Sequence, residues 1–184
     1  EVHGLLFPPD KLQRFSLSEF NKENAISRLG IVDLADEGTD LFALPILYKC
    51  GTKWYLVDAY YSDDGLEVTR PESLAIIEKH KLDYVKVETN SQVKDYYRFL
   101  KANLTNTSAR GVFSVKEKET RILMQAAWII ENVYFRNDYE PNSQYALFIG
   151  HLTSYLKMVK NQKDDPADSM AAAAQFIKKL FGVT

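Results

Sequence analysis

The stretch Gly30-Ile31-Val32-Asp33-Leu34-Ala35-Asp36 decides the fold, because it joins an apolar run to acidic residues. A short apolar run that follows a glycine is typical of a strand buried in the middle of a sheet. A carboxylate within such a strand is costly to bury unless a partner or a cation compensates its charge. The stretch therefore predicts a central strand and a functional role for Asp33.

Around this strand, the sequence predicts a sheet flanked by helices. Two β-rich runs, at 41–48 and 54–61, are separated by a short turn, which predicts an antiparallel three-strand meander. Extended and helical segments then alternate: strands at 84–88 and 111–115, and helices at 71–80, 92–104, 119–131, 145–159 and 166–180. The order predicts an α/β fold, a mixed β-sheet in which parallel strands extend the meander and helices flank the sheet.

The length of 184 residues suits one domain, and the apolar fraction of 46% predicts a folded chain. Residues 1–28 are interpreted as a lead-in segment and residues 29–184 as the main domain. The apolar runs are short and interrupted by charge, so no membrane span is predicted. The N-terminus shows no signal-peptide pattern and does not begin with Met, so we expect a piece of a longer, non-secreted chain.

The cysteine and histidine content restricts the kind of metal site. Cys50 is the only cysteine, which excludes an internal disulfide and a thiolate zinc cluster. The three histidines lie far apart in sequence, which argues against a histidine-rich site. A metal site here would use carboxylates and a hard ion, Mg²⁺ or Mn²⁺.

Four acids occupy informative places in the predicted order. Asp33 lies on the first strand, Glu88 ends the fourth, and Asp165 and Asp168 begin the last helix. If the first and fourth strands are neighbours, Asp33 and Glu88 share one edge, and the last helix can complete the cluster. Carboxylates from several elements can hold two cations about 3.5–4 Å apart, the arrangement that cleaves phosphodiesters.

Three of the four acids also have a simpler interpretation. Acids in the first turn of a helix complement its dipole and cap its amides, which alone explains Asp165 and Asp168. Glu88 ends an alternating strand and fits equally well on a solvated face. Both alternatives stay open at this level.

The net charge of −2 does not indicate a domain that grips DNA tightly by itself. Basic residues are nevertheless concentrated between positions 94 and 121, and a basic stretch near an acidic metal site would suit a polyanion such as DNA. Four are candidates for contact with DNA: Lys94, Lys116, Lys118 and Arg121. Ordinary solvated surface explains any one of them equally well.

Three segments together resemble the nuclease domain of tailed-bacteriophage terminase large subunits, which has a ribonuclease H-like fold. Ile31-Val32-Asp33-Leu34-Ala35-Asp36-Glu37-Gly38-Thr39-Asp40 resembles the opening strand and turn of that family. Val85-Lys86-Val87-Glu88-Thr89-Asn90 resembles its Val-Glu-Ser-Asn strand, with Thr89 in place of serine. Asp164-Asp165-Pro166-Ala167-Asp168-Ser169-Met170-Ala171 resembles its closing helix. The likeness spans about residues 30–180 in the right order.

The resemblance implies a DNA endonuclease that cuts concatemeric viral DNA during genome packaging. It implies that Asp33, Glu88 and Asp168 are catalytic and hold two Mg²⁺ or Mn²⁺ ions, with Asp165 as an additional ligand and the roles of Asp36 and Asp40 open. The implied partners are double-stranded DNA, an ATPase domain in the same full-length chain, the portal and the small terminase subunit. The implied location is the host-cell cytoplasm, at the procapsid portal. Residues 1–28 would then lead from the ATPase domain, whose phosphate-binding loop does not occur in this sequence.

Two other function classes remain in view. A Holliday-junction resolvase or transposase core would share the fold and the acids, and would be distinguished by cleavage of branched DNA. A non-catalytic module for DNA binding or assembly would cut no plasmid DNA and would tolerate loss of Asp33.

Overall fold

A seven-stranded mixed sheet runs through the part of the chain that the structure, a computed structural model, describes: residues 4–34, 41–88, 94–112 and 117–182. Its strands are β1 (Gln13–Phe15), β2 (Ser27–Val32), β3 (Phe42–Cys50), β4 (Lys53–Ser62), β5 (Tyr84–Glu88), β6 (Ser108–Val112) and β7 (Val133–Arg136). The helices are α1 (Leu66–His80), α2 (Lys94–Asn103), α3 (Lys118–Asn132), α4 (Gln144–Thr153) and α5 (Asp165–Phe181). The spatial order of the strands is β1-β7-β4-β3-β2-β5-β6, which confirms the predicted fold class.

The predicted meander is formed by β2, β3 and β4, which pair antiparallel. Gly51 makes the turn between β3 and β4 with a φ of 62°, a conformation that favours glycine. β2 begins at Ser27 and ends at Val32, so it lies earlier than the predicted run. Asp33 follows it and still exchanges two backbone hydrogen bonds with Ala43, of 2.9 and 3.0 Å.

Parallel pairing extends the meander on the side of β2. β5 pairs parallel with β2, and Val32 lies opposite Val87 in the register. Asp33 and Glu88, the next residue of each strand, therefore reach the same edge of the sheet. β6 continues the parallel pairing beyond β5, with Glu88 opposite Val112.

Two strands were not predicted from the sequence, β1 and β7. They have three and four residues, and each is held by parallel pairing, β1 to β7 and β7 to β4. Segments this short have little intrinsic preference, so distant partners decide their structure. Residues 4–28 consequently pack as part of the fold, with Phe7 fully buried. That residues 1–28 lead from another domain stays a prediction.

Some helix limits also differ from those predicted. α1 begins at Leu66, so Pro71 lies inside the helix instead of in its first turn. α4 ends at Thr153, six residues before the predicted limit. None of the described helices is long and apolar enough to cross a membrane.

The sheet is covered on both faces, because its strands bury side chains in alternating directions. Ile31 joins the core that includes α3, α4 and α5, while Val32 joins the core that includes α1 and α2. Four consecutive alanines of α5, residues 171–174, are at most 2% exposed and lie in the first of these cores. Their small side chains let α5 approach β2 and β3 closely, which positions its acidic first turn.

Asp138 ties the N-terminal segment to the end of β7. Its carboxylate accepts hydrogen bonds from the backbone amides of Leu17 and Ser18, at 2.9 and 3.1 Å, and from the hydroxyl of Ser16. The amide of Leu17 is the largest of the influences that hold the pKa of Asp138 at about 2. The charged carboxylate thus helps to fix the segment that contains β1.

We expect Asp138→Ala to lower the free energy of unfolding by about 1 kcal/mol at pH 7, as loss of a capping carboxylate does. Because the folded-state pKa is depressed, the contribution is present above the ordinary pKa of aspartate and is lost as the pH falls through about 2. Urea unfolding of both proteins between pH 7 and pH 2 measures the difference. A difference that is the same at both pH values would contradict this assignment.

Candidate metal centre

Asp33 lies at the edge of the sheet, on the face covered by α5. Within the described part of the chain, its Oδ2 atom is buried and has no hydrogen-bond partner. Burial raises the pKa of Asp33 well above its ordinary value, and the nearby charges of Asp168 and Asp165 raise it further. A buried carboxylate oxygen in this state calls for a proton or a cation.

The first turn of α5 supplies two further buried acids. Asp165 and Asp168 are 3% and 2% exposed. The backbone amide of Leu41 donates to Asp165 Oδ2 over 3.4 Å, and Asp168 accepts from the side chain of Arg121. Both are therefore buried against neighbouring parts of the fold rather than exposed to solvent, so the capping explanation is insufficient for them.

Glu88 completes the group from the end of β5. Its side chain is 16% exposed and accepts a hydrogen bond of 2.5 Å from Nη1 of Arg121. The ammonium group of Lys86, on the same side of the strand, lies 3.7 Å from Oε1 of Glu88. Glu88 thus belongs to a largely buried network and does not lie on a solvated face.

Arg121 connects Glu88 to Asp168. Its Nη1 donates to Glu88, while its Nε donates to Asp168 Oδ1 over 3.2 Å and its Nη2 donates to the same oxygen. The arginine side chain is 3% exposed. One guanidinium therefore joins carboxylates from β5 and α5.

Two lysines add positive charge around the acids. Burial lowers the pKa of Lys86, although Glu88 opposes that shift. For Lys118 burial also favours the neutral form, but the surrounding carboxylates, Asp168 foremost, outweigh it and raise the pKa above its ordinary value. Lys118 stays protonated, 3.4 Å from Asp164 at the entry to α5.

The donor set matches the chemistry of a hard divalent cation. It consists of carboxylate oxygens from three elements, and Asp33 Oδ2 is a buried oxygen without a partner among the described residues. However, among residues 4–34, 41–88, 94–112 and 117–182, no three acids, histidines or cysteines are gathered closely enough to hold one ion. The guanidinium of Arg121 lies between Glu88 and Asp168 and donates to both of them.

The candidate DNA contacts have different surroundings. Lys94 is exposed at the start of α2, and Lys118 is exposed beside the acids. Arg121 is buried, which argues against the direct DNA contact expected for it. Lys116, like Asp36 and Asp40, lies outside the described residues.

Sequence reasoning missed Lys86 and the structural role of Arg121. The alternation in β5 does place Lys86 on the same side as Glu88, so that signal was present in the sequence. For Arg121 the signal was ambiguous, because a basic residue in the first turns of a helix is usually a surface residue.

A family model matches residues 32–135, more than half of the chain. It describes the ribonuclease H-like domain of the terminase of bacteriophage T7. The chain belongs to this terminase family. The match includes Asp33 and Glu88 and ends before α5.

Solved structures support the same fold. The large terminase of a thermophilic bacteriophage matches with a TM-score of 0.69 and 13% identity, over 97% of this chain and 45% of that one. This terminase domain thus spans less than half the length of that relative. The human cytomegalovirus terminase nuclease domain, soaked with manganese, matches with a TM-score of 0.63 and 10% identity over 92% of both chains. The large terminase nuclease of thermophilic phage G20c, with bound zinc, matches with a TM-score of 0.60 and 16% identity, over 92% of this chain and 97% of that one.

No curated protein sequence matches the chain.

We expect the carboxylate of Asp33 to lower the stability of the metal-free protein at neutral pH, because its pKa is raised in the folded state. A folded-state pKa above the unfolded value gives stability that is present below the unfolded pKa and is lost as the pH rises through the folded pKa. In chelator at pH 7, Asp33→Asn should therefore raise Tm by about 2–4 °C, the equivalent of ~1 kcal/mol for a domain of this size. The gain should vanish near pH 4.

Thermal unfolding followed by circular dichroism from pH 4 to pH 8 measures this difference. Asp58→Asn provides the control, because Asp58 is a strand acid that is paired with His80, at 2.9 Å, away from the cluster. A lower Tm for Asp33→Asn at pH 7 would refute the account of Asp33.

Proposed function

We propose that this chain is the metal-dependent endonuclease domain of a phage terminase large subunit, which cuts concatemeric viral DNA during genome packaging. The observation that carries the proposal is that Asp33, with its buried and unpartnered Oδ2 atom, and the partly buried Glu88 lie at one edge of the sheet beside the buried Asp168, in a member of the terminase family. Acids are rarely buried together without a function that requires their charge.

In this proposal Asp33, Glu88, Asp165 and Asp168 hold two Mg²⁺ or Mn²⁺ ions. When bound, such ions supply activation of the attacking water and stabilisation of the leaving oxygen. Two relatives support a divalent metal, since their structures are described as manganese-soaked and zinc-bound. Glu88 ends β5, and Asp165 and Asp168 begin α5, so each of these carboxylates is held by a regular element of the main chain.

Among the described candidates, Lys118 is the basic residue best placed to attract the DNA backbone. It stays protonated, lies beside the acids, and is 43% exposed at its side chain. An exposed cation next to a metal site can bind a phosphate oxygen and help to centre the scissile bond. Lys94 and Lys116 are proposed to contribute to the same DNA interaction.

The further partners follow from the family. We propose double-stranded DNA as substrate, and an ATPase domain of the same full-length chain, the portal and the small terminase subunit as assembly partners. The site of action is then the host-cell cytoplasm, at the procapsid portal. A near-neutral domain is consistent with DNA that other components deliver to it.

Plasmid cleavage tests the proposal directly. We expect nicking and linearisation with Mn²⁺ or Mg²⁺ and none in chelator, and a fall of roughly 1000-fold or more for Asp33→Asn and for Asp168→Asn. A fall of that size corresponds to the loss of a few kcal/mol of transition-state stabilisation, the contribution of a metal ion.

Asp58→Asn is again the matched control and should cleave like the wild type. Cleavage that needs no metal, or full activity in both site variants, would overturn the proposal. Cleavage of linear and of four-way DNA separates two kinds of nuclease. Equal cutting of both substrates favours a terminase, whereas preference for the four-way junction favours a resolvase.

A further inference from the structure

The position of Arg121 has a consequence for metal binding. Its guanidinium donates to Oε1 of Glu88 and to Oδ1 of Asp168, one carboxylate from β5 and one from α5. A divalent ion shared by these two acids needs their oxygens in the same narrow space. Arginine and the ion therefore compete for the same ligands.

Arg121 cannot reduce this competition by losing its proton, because a guanidinium stays charged at any pH at which proteins fold. Its side chain is 3% exposed, and a buried cation requires its partners to remain in place. A metal that used the same oxygens would have to replace these hydrogen bonds, and a metal that used other oxygens of the two acids would still be repelled by the nearby guanidinium.

Metal–carboxylate contacts are stronger than guanidinium–carboxylate contacts, so a divalent ion can bind despite Arg121. A divalent ion has twice the charge and approaches a carboxylate oxygen to about 2.1 Å, compared with about 2.8 Å for an N–H donor. Coulomb energy scales as charge over distance, so each metal contact is roughly 2.5 times stronger at equal dielectric. The net free energy of metal binding is therefore the energy of the metal contacts less the energy of any Arg121 contacts that are lost.

We propose that Arg121 is a built-in counter-ion that lowers the metal affinity of the carboxylate cluster, because a bound ion must compete with its guanidinium for Glu88 and Asp168. This inference rests on the proposed function, because it takes Glu88 and Asp168 as metal ligands. Arg121 is thus a positioning residue that acts through these acids. Lys86, 3.7 Å from Glu88, adds positive charge on the same side.

The test is the affinity for Mn²⁺ in the absence of DNA, measured by electron paramagnetic resonance of the free ion or by calorimetry. Arg121→Met keeps most of the side-chain volume and removes the charge. We expect its Kd for Mn²⁺ to be about tenfold lower than that of the wild type, within the range by which residues beside metal ligands alter affinity. In chelator its Tm should fall, because the acids lose their compensating charge.

Arg136→Met is the matched control. Arg136 is also largely buried and pairs with an acid, Asp138, but it lies on β7. Its loss should lower Tm in chelator without changing the Kd for Mn²⁺. A purely structural role of Arg121 would give the same result as this control, and would overturn the inference.

A weaker affinity for Mn²⁺ in Arg121→Met would equally overturn it, since Arg121 would then help the acids to bind metal. If Arg121→Met does not fold, Arg121→Lys carries the test. A lysine is shorter and cannot bridge both acids, but it keeps the positive charge. We therefore expect the Kd of Arg121→Lys for Mn²⁺ to be about threefold lower than that of the wild type, a smaller change than the one expected for Arg121→Met. An unchanged or higher Kd for that variant overturns the inference.

Failure of the proposed function has a separate signature. In that case Asp168→Asn binds Mn²⁺ as well as the wild type does, and no variant shows metal-dependent cleavage. Loss of Mn²⁺ binding in Asp168→Asn, combined with no gain in Arg121→Met, leaves the nuclease intact and removes only the role of Arg121.

Discussion

The candidate site depends on the parallel pairing of β2 with β5. This pairing places Val32 opposite Val87, so the chain leaves both strands at the same edge, with Asp33 and Glu88 as the next residues. A shift of one residue in either strand would turn its acid to the opposite face of the sheet. The apolar side chains that flank the acids are buried in two cores, and their burial fixes the register. Packing energy in the sheet thus determines where the acids lie.

Once the acids are brought together, their charges must be compensated. Asp33, Asp165 and Asp168 are buried within one another's electric field, and α5 adds only the partial charge of its N-terminus. Arg121 and Lys118, both from α3, supply the opposite charge from the neighbouring helix. A buried pair that loses one member costs about 3–5 kcal/mol. The acidic turn of α5 and the basic start of α3 are therefore interdependent, although they lie far apart in the sequence.

The fold can be kept when little of the sequence is shared. A relative with 13% identity keeps the fold with a TM-score of 0.69, because strand alternation and helix periodicity can be met by many apolar residues. The family model ends at Phe135, in β7, and so excludes α5. The helix that supplies Asp165 and Asp168 joins the site through its packing. The alanines at 171–174 make that packing close enough, since larger side chains would hold the helix away from β2 and β3.

The sequence by itself was enough to predict the meander and the main helices, and to single out the four acids as candidate site residues. Apolar periodicity and turn residues are local signals, and a carboxylate in an apolar strand is conspicuous without any structure. Only the tertiary structure decided the strands β1 and β7, whose three and four residues are ordered by partners distant in sequence. It also decided the role of Arg121, which resembles a surface residue in the sequence but is buried against Glu88 and Asp168. The physical reason is the same in both cases: pairing and charge compensation act between residues that the chain brings together only on folding.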